Sequence, residues 1–116
     1  PPMSASRATA ARHVAPMFAA LGDRTRLTLL RRLSAEGPLS ITRLSEGSGM
    51  TRQAITRHLH ALGRVGLVHH RKEGREQVFS LDLERLEIAR RYLDQVSAQW
   101  DAAAARLKAF VEADER

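Results

Sequence analysis

Residues 40–65 read SITRLSEGSGMTRQAITRHLHALGRV, a stretch that divides into a short apolar-spaced segment, a glycine turn and a longer amphipathic segment. Ser40 is placed to cap a short helix that presents Ile41 and Leu44 and stops at Gly47-Ser48-Gly49. Thr51 is the next N-cap residue, and Ile55, Leu59, Leu62 and Val65 follow it at helical spacing until Gly66 ends the run. The other face of that segment holds Arg52, Gln53, Thr56, Arg57, His60 and Arg64. The spacing predicts two helices joined by a tight turn, the second apolar on its inner face and hydrogen-bonding on its outer one.

Downstream of this pair, Leu67–Arg71 and Gln77–Leu81 read as two strands around Lys72-Glu73-Gly74-Arg75-Glu76, with Gly74 supplying the positive φ of a tight loop. The result is a basic hairpin over 67–81. Upstream, residues 1–8 are small and polar and read as a disordered tail, whereas Val14, Met17, Phe18 and Leu21 recur at helical spacing between Thr9 and Leu21. Pro16 within that run is tolerable only in a first turn or as a kink. Asp23 caps a further helix in which Leu27, Leu30 and Leu33 line one face before Glu36-Gly37-Pro38 stops it. Asp82 caps the last helix, expected over 83–112 and about 45 Å long at the usual rise per residue. Its apolar positions Leu86, Ala89, Leu93, Val96, Trp100, Ala103, Leu107 and Phe110 alternate steps of three and four. Such a repeat makes a seam for another helix.

Composition restricts what these elements can do. A chain of 116 residues is one domain and too short for a large catalytic cleft, and residues 9–116 read as that domain. Zero cysteines exclude disulfides, thiolate metal sites and a cysteine nucleophile. That absence, together with the lack of a bilayer-length apolar run or a basic-then-apolar leader, sets the expectation of a cytoplasmic protein without membrane contact. The formal charge of +6 is unevenly spread: residues 1–36 carry +4, residues 37–81 another +4 and residues 82–116 carry −2. Few aromatics and a basic middle favour the phosphates of a duplex over single-stranded bases.

Helix, glycine turn, helix with a polar outer face, then basic hairpin is the order of a winged helix-turn-helix. The expected fold is therefore mainly α with a small β-hairpin, about five helices in all, with 40–65 as the helix-turn-helix and 67–81 as the wing. The major groove of B-DNA admits one helix, and residues near the start of an inserted helix reach deepest. Arg52, Gln53 and Thr56 are thus the candidates for base edges, where Arg matches guanine and Gln matches adenine bidentately. Arg57, His60 and Arg64 lie farther along and are assigned to phosphates. Thr51 can add an anion site at the helix N-terminus. Arg71, Lys72 and Arg75 on the hairpin are assigned to neighbouring backbone or minor groove, contacts that set affinity more than sequence preference.

Residues 19–82 closely resemble the ArsR (arsenical-resistance repressor) family of bacterial winged-helix regulators. Ala20-Leu21-Gly22-Asp23-Arg24-Thr25-Arg26 is similar to that family's entry to its second helix, although Arg24 stands where proline is usual. Thr56-Arg57-His58-Leu59 resembles its recognition-helix core, and Gly66-Leu67-Val68 leading to Arg71-Lys72-Glu73-Gly74-Arg75 resembles its wing. The resemblance implies a homodimer joined through the first and last helices, with Val14, Met17, Phe18, Leu86, Leu93, Val96, Trp100 and Leu107 at the interface, bound to an inverted repeat near a promoter. Metal-sensing members place cysteines in the third helix, where this chain has Ile41-Thr42-Arg43-Leu44-Ser45-Glu46, or pair Asp and His on the last helix. No histidine here lies beyond His70. No metal ligand and no cofactor is therefore expected.

Plainer readings stand beside these. A charged face on residues 51–64 taken alone is as readily a solvated surface. His58 borders the apolar stripe and reads as a half-buried packing or phosphate residue. His69 and His70 are adjacent on a strand, so they point to opposite faces and do not share one ion. Glu87, Asp94 and Asp101 fall on one stripe, yet Arg85, Arg90 and Arg91 are interleaved with them as ion-pair neighbours. Trp100 reads as a dimer-core aromatic, with a ligand-pocket wall as the alternative.

The expected function is that of a non-enzymatic, sequence-specific transcription regulator of double-stranded DNA. It is read as a dimeric repressor that is not metal-regulated, open to an unknown small-molecule or protein effector. The alternative is an architectural, nucleoid-type DNA-binding protein without an operator.

Overall fold

The computed structural model describes the backbone of residues 2–114 and the side chains of residues 11–114. In chain order the elements are α1 (Pro2–Leu21), α2 (Arg24–Glu36), β1 (Leu39–Ser40), α3 (Ile41–Ser45), α4 (Arg52–Arg64), β2 (Val68–Glu73), β3 (Glu76–Leu81) and α5 (Leu83–Asp114). Four of the helices begin where a capping side chain accepts a backbone N–H, that of α5 being Asp82, which accepts from Arg85. Asp23 accepts from Arg26, Ser40 from Arg43 and Thr51 from Ala54. These are the caps expected from the sequence, and each fixes the entry angle of its helix.

Several expectations need correction. Residues 2–8, read as a disordered tail, are helical and continuous with α1. Pro2 suits a first helical turn, and nothing between it and Thr9 breaks a helix. Pro16 consequently sits in the helix interior, where it cannot donate to the carbonyl one turn back. Leu27, placed on the apolar face of α2, is 49% exposed, and Leu29 is buried in its stead beside Leu30 and Leu33. The hairpin is also tighter than expected. Its strands pair as far as Glu73 opposite Glu76, leaving only Gly74-Arg75 as the turn. Gly74 has φ +61°, which at the first of two turn residues matches the twist of the flanking strands.

The sheet has three antiparallel strands in the order β1-β3-β2, with Leu39 opposite Phe79 and His70 opposite Phe79 on the other side. Phe79 is thereby central, and it packs in a core with Leu33, Ile41, Leu44, Leu59 and Leu67. Two tethers hold the short α3 in place. The Arg32 guanidinium donates to the Leu44 carbonyl at 3.1 Å, satisfying one of the C-terminal acceptors that a short helix leaves free. The Thr42 hydroxyl donates to the Glu76 carboxylate at 3.1 Å, joining α3 to the turn end of the hairpin. The third layer, α1 against the first turns of α5, covers the far side of the core.

The last helix is unlike the rest. Among its described residues only Ala89 is fully buried, and every residue from Ser97 to Asp114 is exposed. It carries the molecule to a length of 70 Å against 33 Å and 20 Å in the other directions.

Candidate nucleic-acid interface

The glycine turn after α3 is closed by Ser48, whose hydroxyl accepts from the Met50 N–H at 3.0 Å. This delivers Thr51 to its capping position and starts α4. The helix then turns Ile55, Leu59 and Leu62 into the core, so that Arg52, Gln53, Arg57, His60 and Arg64 are left on the outside. A single period thus orders both faces: the burial of one is what exposes the other. Thr51 is exposed as well. Thr56 is half-buried, and its hydroxyl donates to the Arg52 carbonyl at 2.7 Å. With that proton engaged, Thr56 faces a ligand with its methyl group or as an acceptor only.

The hairpin lies beside α4. Leu59, His60, Gly63 and Arg64 from the helix meet Val68, His69, His70 and Phe79 from the sheet around an open cleft of about 610 Å³. His60 and Arg64 are therefore brought to the same cleft as the first residues of the hairpin. Lys72 and Arg75 are exposed and form no ion pair among the described residues. Arg71 differs from them. Its guanidinium donates to Glu73 at 2.8 Å, two residues on along the same strand face, so part of its charge is already answered.

The histidines separate as strand geometry requires. His70 lies against the Phe79 ring at a centroid distance of 5.4 Å, whereas His69 is hydrogen-bonded to Asp82. Asp82 is also the cap of α5, accepting from the Arg85 N–H at 3.0 Å. The Arg85 N–H, with His69 second, holds the Asp82 carboxyl below its ordinary value. A matching pair lies under α4, where the His58 ring, 17% exposed, approaches Asp23 at 3.9 Å. Asp23 is likewise lowered, by the Arg26 N–H first and with a smaller contribution from His58. The Asp23 and Asp82 caps were legible, but their histidine partners were not, because each comes from an element remote in the chain.

The dimer candidates divide into two groups. Val14 and Met17 are each only 2% exposed and belong to the protomer's own core, because α5 packs over them. Phe18 and Leu86 are partly buried, with the Phe18 ring 6.1 Å from that of Tyr92 across the α1–α5 contact. Val96 is half-buried. Leu93, Trp100 and Leu107 are 52%, 72% and 65% exposed, and with Phe110 they form an apolar stripe. Of the acidic stripe on α5, Glu87 is engaged locally: Arg90 donates to it at 2.8 Å, which lowers the carboxyl and raises the guanidinium. Among the described residues no three His, Asp or Glu side chains are gathered as a metal site, and no helix is long and apolar enough to cross a membrane.

Known proteins share this arrangement. A family model described as HVO_A0114 matches residues 23–88, over half of the chain. The HTH-type transcriptional regulator NmtR of Mycobacterium tuberculosis is 40% identical over 72 residues, which span 62% of this chain and 59% of that protein. Among solved structures, an ArsR-like transcriptional regulator from Rhodococcus sp. RHA1 superposes with a TM-score of 0.72 at 35% identity, covering 85% of this chain and 92% of that one. A homodimeric winged helix-turn-helix DNA-binding domain from Mycobacterium bovis, described as a possible ArsR-family regulator, superposes with a TM-score of 0.63 at 32% identity, over 80% of this chain and 84% of that one. The family match, the sequence identity and the superposition agree, and the chain belongs to the ArsR family of winged helix-turn-helix transcription regulators.

Proposed function

We propose that this chain is a dimeric repressor that acts in the cytoplasm on an inverted-repeat operator, with no metal in its regulation and no catalytic activity. One observation carries the reading: α4 buries Ile55, Leu59 and Leu62 while presenting Arg52, Gln53, Arg57, His60 and Arg64 beside a hairpin whose Lys72 and Arg75 form no ion pair among the described residues. Inserted in a major groove, Arg52 and Gln53 read base edges, and Arg57, His60 and Arg64 hold phosphates. The exposed stripe of Leu93, Trp100 and Leu107 packs on its copy, and the resulting two-fold axis places two reading helices about 34 Å apart, one turn of duplex.

Selection of binding sites from random duplex DNA, followed by footprinting of the selected sequence, tests this. The expected result is a palindromic consensus protected over two half-sites. Protection of an isolated half-site by monomer counts against the symmetric reading. A selection without any consensus favours an architectural protein that coats DNA through its charge alone.

A further inference from the structure

We propose that the groove between α1 and α5 binds a small organic carboxylate with an apolar body, and that its occupation weakens DNA binding through Arg85; the second part rests on the repressor reading above. The groove encloses about 370 Å³, at the small end of the range of ligand sites. Val14 and Met17 form its buried floor, and Ile88 and Tyr92 make the α5 wall. Its exposed edge carries the guanidinium groups of Arg85 and Arg91, with the His13 ring beside them. An apolar floor under a guanidinium rim suits a molecule with a hydrocarbon or aromatic body and one negative end.

Arg85 is the residue that gives the groove a reach beyond itself. Its side chain makes no ion pair or hydrogen bond among the described residues, whereas neighbouring Arg91 approaches Glu87 at 3.6 Å. The same side chain borders a second cavity of about 310 Å³ shared with Gly63, Arg64 and Gly66, the corner where α4 passes into the wing. A Cβ placed on Gly66 would lie 3.1 Å from Arg85 Nε, so the Arg85 stem rests directly on that glycine. Gly66 has φ +78° and cannot readily be replaced by a larger residue. A carboxylate that engages Arg85 draws the guanidinium toward the groove and removes its cover from the α4–wing corner. The two reading elements then lose a common support, and by linkage DNA must weaken the ligand by the same factor.

Calorimetric titration of the whole protein with benzoate and octanoate, and with benzamide and octanamide, tests the site without DNA. One saturable site per protomer is expected, with each carboxylate about tenfold or more tighter than its amide. Arg85→Gln and Arg91→Gln should each weaken the carboxylates by about tenfold, and Arg106→Gln, on the exposed far part of α5, should not. Arg91→Gln keeps the test decisive if loss of Arg85 disturbs the Gly66 corner. No saturable binding of either carboxylate, or equal binding of the amides, overturns the site. Saturable binding that leaves affinity for the selected duplex unchanged overturns the coupling through Arg85. Carboxylate binding by a protein that binds no duplex supports the site and overturns the repressor reading instead.

Discussion

His69, the second residue of β2, is hydrogen-bonded to Asp82, the cap of α5, so the base of the wing and the start of the long helix are fastened by one side-chain pair. His58 and Asp23 make a looser version of the same arrangement between α4 and the cap of α2. In both cases a histidine from the helix-turn-helix or the wing meets a carboxylate that caps another helix.

The pH dependence of stability follows from the two carboxylates. Each is held below its ordinary 3.8 by the backbone N–H groups it caps, first of all, and by its histidine. A lowered folded value contributes stability that is complete above the unfolded value and lost as pH falls through the folded one. Thermal midpoints should therefore decline below about pH 4. Asp23→Asn and Asp82→Asn should each flatten that acid limb, and an unchanged limb in both would refute the assignment.

Base reading and charge should separate on mutation. Arg52→Ala and Gln53→Ala are expected to change the consensus recovered by site selection. Lys72→Ala and Arg75→Ala should weaken all duplexes alike and lower the salt slope by about 0.9 for each lost phosphate contact. Arg71→Ala should cost less, because Glu73 already holds its guanidinium, and Glu73→Gln should tighten non-specific binding. Salt titrations of the four wing variants measure this, and an Arg71 effect as large as that of Lys72 would contradict it.

Core and seam should respond to different assays. Leu59 is fully buried, and Leu59→Ala should cost about 2–5 kcal/mol in denaturant unfolding. Trp100 is 72% exposed within the protomer, so Trp100→Ala should leave helix content unchanged. It should instead raise the dimer dissociation constant by at least about tenfold, the effect of a buried aromatic anchor, in sedimentation equilibrium. Unchanged dimerisation in Trp100→Ala would remove this residue from the interface.

Operator affinity should be the same, within about twofold, after chelation and after addition of Zn²⁺, Ni²⁺ or Cd²⁺; twofold corresponds to less than 0.5 kcal/mol. A metal that changes it tenfold would show a site built between protomers.

The helix-turn-helix was legible because its signals are local. Ser40, Thr51 and Asp23 each cap the helix that follows them, and the spacing of Ile55, Leu59 and Leu62 orients α4 without knowledge of any neighbour. The two-residue strand Leu39–Ser40 carries no period of its own, and only its pairing with β3 makes it a strand. Leu27 and Leu29 are equally apolar, so which of them faces inward depended on the angle at which α2 meets α4.

Apolar periodicity over residues 14–21 and 86–110 identified helices with a face to bury, but periodicity does not name the surface that buries it. Packing assigns Val14 and Met17 to the protomer's core and leaves Trp100 and Leu107 bare, because α5 outruns the globule that its first turns cover. The charge on residues 51–75 was fully readable, whereas the loss of Arg71 to Glu73, the engagement of His69 by Asp82 and the contact of Arg85 with Gly66 were not. Local capping and hydrophobic period act between neighbours in the chain and so can be read along it. Ion pairing, burial and cavities arise where separate elements meet in space, and those contacts exist only once the elements are packed.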